Sequence, residues 1–170
     1  HSTNSYYVPN THVTVHSCKT NLPPNTAFRG FGAPQGVFTI ESAIAHAADE
    51  LNIPAYEIQK VNFIHDGQAF QYGQIAENVN NKATFEQALN QYDFTRIEKE
   101  AADYNQKHID KKRGVSIMPI CFGISFTKTP MNQARSLVHI YQDGSVGIST
   151  GAIEMGQGVN TKIIQVAAGV

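Results

Sequence analysis

The chain has 170 residues, 41% of them hydrophobic, with nine Phe and seven Tyr. That is enough for one packed domain, and it excludes wholesale disorder. A formal charge of −1 excludes the electrostatic footprint of a nucleic-acid binder, and no apolar run approaches the roughly 20 residues of a membrane-spanning helix. Charged residues make up only 16%, against about 25% in a typical soluble protein, which points to a surface partly covered by other protein.

From the N-terminus, Tyr6 to Lys19 alternates in part, with His12, Thr14 and His16 opposite Val13 and Val15, as in a strand. Asn21-Leu22-Pro23-Pro24-Asn25 breaks any regular element and opens a long loop through Gly36. Val37, Ile40, Ile44, Ala47, Ala48 and Leu51 then recur at helical spacing, so an amphipathic helix ends before Pro54. Pro54 suits the first turn of a short helix running to Asn62. Residues 65–83, rich in Gly, Gln and Asn, read as an excursion. Thr84 with Gln87 forms a capping-box start for a helix reaching Lys107.

Beyond Gly114 the pattern turns to strands. Val115–Phe126 reads as one and Leu137–Tyr141 as another, and Gln142–Ser145 is a tight turn into Val146–Thr150. A loop over Gly151–Gly158 leads to a final helix. Strands, helices and strands again predict an α+β fold rather than repeated βαβ units. The chain starts at His1 without a methionine or signal-like segment and stops in the apolar run Ile163–Val170. The expectation is a partial domain over 1–170, truncated at both ends, with a possible seam within 65–114. Cys18 and Cys121 fall in no pattern, so neither a disulfide framework nor a zinc module is expected. A reducing compartment follows, and thus the cytoplasm.

Three segments could carry chemistry. The seven histidines do not: on a strand His12 and His16 would lie roughly 13 Å apart, too far to share a zinc ion, and the others are isolated. Gly30-Phe31-Gly32-Ala33-Pro34-Gln35-Gly36 lacks both the dinucleotide fingerprint and the P-loop Gly-Lys-Ser/Thr. A plain turn would explain its glycines, yet Arg29 and Phe31 are odd choices for a turn and good ones for a flat, polar ligand. Gly151-Ala152-Ile153-Glu154-Met155-Gly156-Gln157-Gly158 opens a helix, where backbone N–H groups can bind anions; a glycine-rich connection is an equal reading. In Gly123-Ile124-Ser125-Phe126-Thr127 the aromatic could simply be core.

Taken together these segments resemble the molybdenum-cofactor subunit of the xanthine dehydrogenase family of molybdenum hydroxylases. The resemblance rests on Lys19–Leu22, Asn25–Gln35, Gly123–Thr127, Asn132–Ala134 and Glu154–Gly158, in the same order and at similar separations, with 65–110 matching least. It implies a molybdopterin-binding domain in which Arg29 lies at the molybdenum centre, largely through its backbone. Gln157 would hydrogen-bond a molybdenum oxo group, and Gly156 would let the main chain approach. Phe31 and Phe126 would stack on a purine, with Thr127 hydrogen-bonding it.

The implied reaction is hydroxylation of a purine carbon such as that of xanthine or hypoxanthine, with water as the oxygen source and hydride transfer to a molybdenum sulfido ligand. Electrons would leave through iron–sulfur clusters and FAD in other domains or subunits. The family's general-base glutamate lies downstream of the matching stretch, and a substrate-orienting arginine and a second glutamate lie upstream. No catalytic residue is therefore expected here, and the chain alone should not turn over. An aldehyde-oxidising relative and a non-catalytic scaffold are the competing readings.

Overall fold

The computed structural model describes residues 1–24, 28–123, 126 and 128–170. The architecture is α+β and falls into two units, His1–Phe122 and Gly123–Val170. This division lies downstream of the 65–114 stretch.

Among its described residues, the first unit is built on four helices. Helix α1 spans Ala33–Leu51 and buries Ala33, Val37, Ile44 and Ala48, the helical spacing that marked this segment. It starts inside the stretch assigned to the loop, because Pro34 suits the first turn, where its missing N–H costs nothing. It ends at Asn52, whose left-handed φ of 52° is a common helix stop. Helix α2 spans Ala55–Asn62 after Pro54, and packs against α1.

The single helix expected from Thr84 to Lys107 is instead two, α3 (Asn81–Gln91) and α4 (Phe94–Lys107). Asp93, at a φ of 48°, caps α4 by accepting the Arg96 N–H, and Asp tolerates that conformation better than most residues. Nor does Thr84 start a helix. It sits within α3, its hydroxyl donating to the Asn80 carbonyl at 2.7 Å, the bond an interior Thr makes one turn back.

The core gathers Tyr6, Ile44, Phe63 and Phe85. Phe63 stacks on Tyr6 at 5.8 Å between ring centroids and meets Phe85 edge-on at 5.2 Å, both favoured aromatic geometries. Beside it lies a polar network centred on Glu41 of α1. Its carboxylate accepts from the Tyr6 hydroxyl (2.6 Å), the Asn4 amide (2.9 Å) and the Gln59 amide (2.8 Å).

Two expected strands do not form among the described residues, and the network accounts for the second of them, Val115–Phe126. In the described part of Val115–Phe126, the carbonyls of Ile117 and Pro119 accept from Gln59 and Asn4. The Cys121 N–H donates to Asn4 Oδ1. Side chains thus take the backbone groups that a neighbouring strand would need. In Tyr6–Lys19 only Tyr6 pairs, by an isolated bridge to Phe63. Residues 11–20 are exposed and irregular, and no strand among the described residues pairs with them.

The second unit holds a 3₁₀ turn at Thr129–Met131, strands β1 (Ser136–Ile140) and β2 (Val146–Thr150), and helix α5 (Val159–Ala168). The strands pair antiparallel, Val138 opposite Ile148. Between them the Tyr141 N–H donates to the Ser145 carbonyl at 2.9 Å, and Gly144 takes the positive φ of 82° that the turn requires. No described residue of this unit is buried. A two-stranded hairpin with so little cover is marginal alone. Among the described residues of the whole chain, no helix is long and apolar enough to cross a membrane.

Candidate functional site

The first candidate loop leads directly into α1. Gly30 and Gly32 both have φ 92°, and Phe31 between them has φ 47°. Left-handed backbone is costly for a bulky residue, and such strain tends to collect at functional positions. The turn is closed by bonds from Phe31 N–H to the Phe28 carbonyl (2.8 Å) and from Ala33 N–H to the Gly30 carbonyl (3.1 Å). Gly30 cannot be replaced without movement, since a Cβ there would sit 2.7 Å from the Pro34 ring. The result places Arg29 and Phe31 on one exposed turn. Phe31 remains 68% exposed, an unusual outcome for a large aromatic held in strained backbone.

Phe126 belongs to the second unit and is 42% exposed, so it is not the core residue that a bland reading would make it. Its backbone is gripped on both sides by one side chain. Asn132 Oδ1 accepts the Phe126 N–H at 2.7 Å, and Asn132 Nδ2 donates to the Phe126 carbonyl at 2.6 Å. Sequence reasoning marked Asn132 only as part of a matching segment; an amide six residues from an exposed aromatic is the signal it offered. Thr127 lies outside the described residues.

Gly156 and Gln157 sit in the loop before α5, where Gly156 has φ 86° and Gly158, the residue capping α5, has φ 77°. The Gln157 amide turns back on its own loop: Oε1 accepts the Met155 N–H at 2.6 Å, and Nε2 donates to the Ile153 carbonyl at 2.8 Å. Glu154 accepts the backbone N–H groups of Gly156, Gly158 and Asn160. The bonds from Asn160 above all, then those from Gly158 and Gly156, hold its carboxyl below the usual 4.5. Carboxylate at a helix start was readable in the sequence, and the anion reading of this loop passed over it.

Arg29 and Phe31 thus belong to one unit, and Phe126, Gly156 and Gln157 to the other. Among the described residues no group of three or more His, Cys, Asp or Glu could hold a metal ion. A cavity of about 430 Å³ in the first unit, lined in part by Ser5, Ile64, Asn81 and Cys121, includes none of the expected site residues. The same is true of an apolar groove of about 330 Å³ between the hairpin and α5.

Two family models, each described as a molybdopterin cofactor-binding domain, match residues 1–63 and 87–170. The chain is 43% identical over 168 residues to a xanthine dehydrogenase of Oryza sativa subsp. japonica, which covers 99% of this chain and 12% of that protein. A xanthine dehydrogenase/oxidase of Felis catus is likewise 43% identical, over 99% of this chain and 13% of its own length. A xanthine dehydrogenase of Calliphora vicina is 44% identical, over 99% and 12% respectively. The chain therefore spans about an eighth of the length of these relatives. With both family models matched and such identity along nearly every residue, the chain belongs to the molybdopterin cofactor-binding domain family, in the stretch that xanthine dehydrogenases carry.

Proposed function

We propose that this chain forms part of the cofactor cradle and substrate wall of a purine-hydroxylating molybdenum enzyme of the xanthine dehydrogenase type. The observation that carries the substrate side is Phe31, an exposed aromatic fixed in left-handed backbone between two glycines. A planar heterocycle is well held by such a face, with polar groups fixing its rotation. Phe126 and Thr127 complete the purine contacts in this reading, and Asn132 sets the Phe126 backbone.

The residues suit a molybdopterin in their chemistry. Arg29 offers a cation, and Gln157 has a second amide N–H beyond the one given to Ile153. Gly156 and Gly158 carry no Cβ where a ligand would approach. When bound, the cofactor would supply the two-electron oxidation of the ring carbon, with oxygen drawn from water. The chain's own contribution is to bind and orient. Arg29, Gly156 and Gln157 would hold the cofactor, while Phe31 and Phe126 would keep the purine plane against it.

The general base belongs elsewhere in the enzyme, as do the iron–sulfur clusters and FAD that take the electrons, so the chain alone is expected to show no turnover. Purine metabolism in the cytoplasm fits the two free thiols, Cys18 and Cys121.

The test is Phe31→Ala in the molybdenum-loaded protein. Losing one base–aromatic stack costs about 1–3 kcal/mol, so xanthine affinity should fall roughly 5- to 150-fold with molybdenum content unchanged. Loss of the metal in this variant would show the role to be misassigned. Wild-type turnover of aldehydes without purines would favour the aldehyde-oxidising reading instead.

A further inference from the structure

Beyond the residues given roles above, Glu154 is the side chain most heavily engaged in the loop before α5. Its Oε1 accepts the N–H of Gly156 at 2.8 Å and of Gly158 at 3.1 Å, and its Oε2 accepts that of Asn160 at 3.1 Å. Gly158, as the capping residue of α5, has no side chain to offer the helix start. Asn160 lies in the first turn, where backbone N–H groups have no partner within the helix. Glu154 takes on the missing cap from upstream.

The consequence reaches Gln157. Its amide bonds to Met155 and Ile153 close the loop from one side, and the Glu154 carboxylate closes it from the other. Gly156 and Gly158, which have the widest conformational freedom of any residue, are each pinned through the N–H to the same oxygen. A glycine-rich segment that would otherwise sample many shapes is thereby held in one. The carboxylate also offsets the positive end of the α5 dipole, so the chain itself fills the place an outside anion would take.

We propose that Glu154 is a positioning residue, whose carboxylate pre-shapes the Gly156–Gln157–Gly158 loop so that Gln157 and the Gly156 main chain meet the cofactor without reordering. Its effect on the cofactor rests on the assignment of this loop to molybdopterin; its effect on the loop does not. Avoiding a reordering step on binding is how such a clamp raises affinity.

The experiment compares Glu154→Ala and Glu154→Gln with wild type in the full-length protein, prepared with and without molybdopterin. Amide hydrogen exchange in the cofactor-free protein should speed up at Gly156, Gly158 and Asn160 by on the order of fivefold or more in Glu154→Ala. Glu154→Gln, which keeps an acceptor oxygen, should restore part of the protection. Pterin release from the loaded protein should follow the same order, fastest in the alanine variant. Unchanged exchange at all three amides in Glu154→Ala would overturn the clamp. Faster exchange with unaltered pterin release would overturn its role toward the cofactor. A wild-type protein that never acquires pterin refutes the functional reading and the cofactor role together, while the exchange data still decide the clamp.

Discussion

Asn4 offers a severe test of how α1, and with it the Arg29–Phe31 turn at its N-terminus, is held in place. The side chain is buried. Its Nδ2 donates to Glu41 Oε1 at 2.9 Å and to the Pro119 carbonyl at 2.7 Å, and its Oδ1 accepts the Cys121 N–H at 2.9 Å. Asn4→Ala removes all of these, at about 1 kcal/mol for each bond. The expected loss is about 3 kcal/mol, or roughly 6–12 °C in melting temperature for a chain of this length. Asn4→Asp is the sharper perturbation, because it keeps the acceptor for Cys121 and replaces the donor by an acceptor facing Glu41 and Pro119.

Buried against a carboxylate and a carbonyl, the new side chain should have its folded-state pKa raised above the ordinary 3.9 or so of an aspartate. The sign follows from linkage. The folded variant binds the extra proton more tightly than the unfolded chain, so its deficit is largest above the raised pKa and shrinks as the pH falls through it. The alanine deficit, relative to wild type, should stay flat over the same range. Urea unfolding of wild type and both variants at several pH values between about 4 and 8 measures this directly. Equal pH profiles for the two variants, or an alanine loss under about 1 kcal/mol, would refute the keystone role of Asn4.

Two further outcomes follow from contacts of the same kind. On the purine reading proposed above, Asn132→Ala in the full-length protein, by releasing the Phe126 backbone, should raise the KM for purine several-fold while cofactor content stays constant; Asn132→Asp, which keeps the acceptor for the Phe126 N–H, should fall between. A KM unaffected by either variant would remove Asn132 from the positioning of Phe126. Burial first, then the bond to Glu41, raises the Tyr6 phenol above the ordinary 10. Its contribution is therefore complete below pH 10 and lost as the pH rises beyond it. Tyr6→Phe should abolish that alkaline component of the unfolding curve, and an unchanged alkaline limb would disprove it.

The helices were legible where the apolar period was strong. Val37, Ile44 and Ala48 mark α1 in the sequence and are buried in the structure. Gln142–Ser145 likewise announces its hairpin. The break between α3 and α4 was not legible, since Asp93 caps by a conformation that neither Gly nor Pro advertises. Nor were the missing strands. Alternation in Val13 and Val15 reports a surface shaped for a neighbour, but pairing also needs the neighbour, and Val15 stays 83% exposed. Along Ile117–Cys121 the backbone is claimed by Asn4 and Gln59, partners far off in sequence that no local pattern reveals.

The candidate site behaved differently, because its pieces are held by neighbours in sequence. The Phe31 turn is closed by Phe28, Gly30 and Ala33. Phe126 is gripped by Asn132, six residues on, and the Gly156–Gly158 loop by Glu154, with its farthest bond also spanning six. Each motif carries its own scaffold within its own short stretch. A motif of this sort keeps its shape only if its clamp and its functional residue appear together, so both leave a compact signature that a reader can match. The resemblance thus falls on stretches that hold their own shape, and Glu154 and Asn132, whose side chains do the holding, stand inside the segments that carry it.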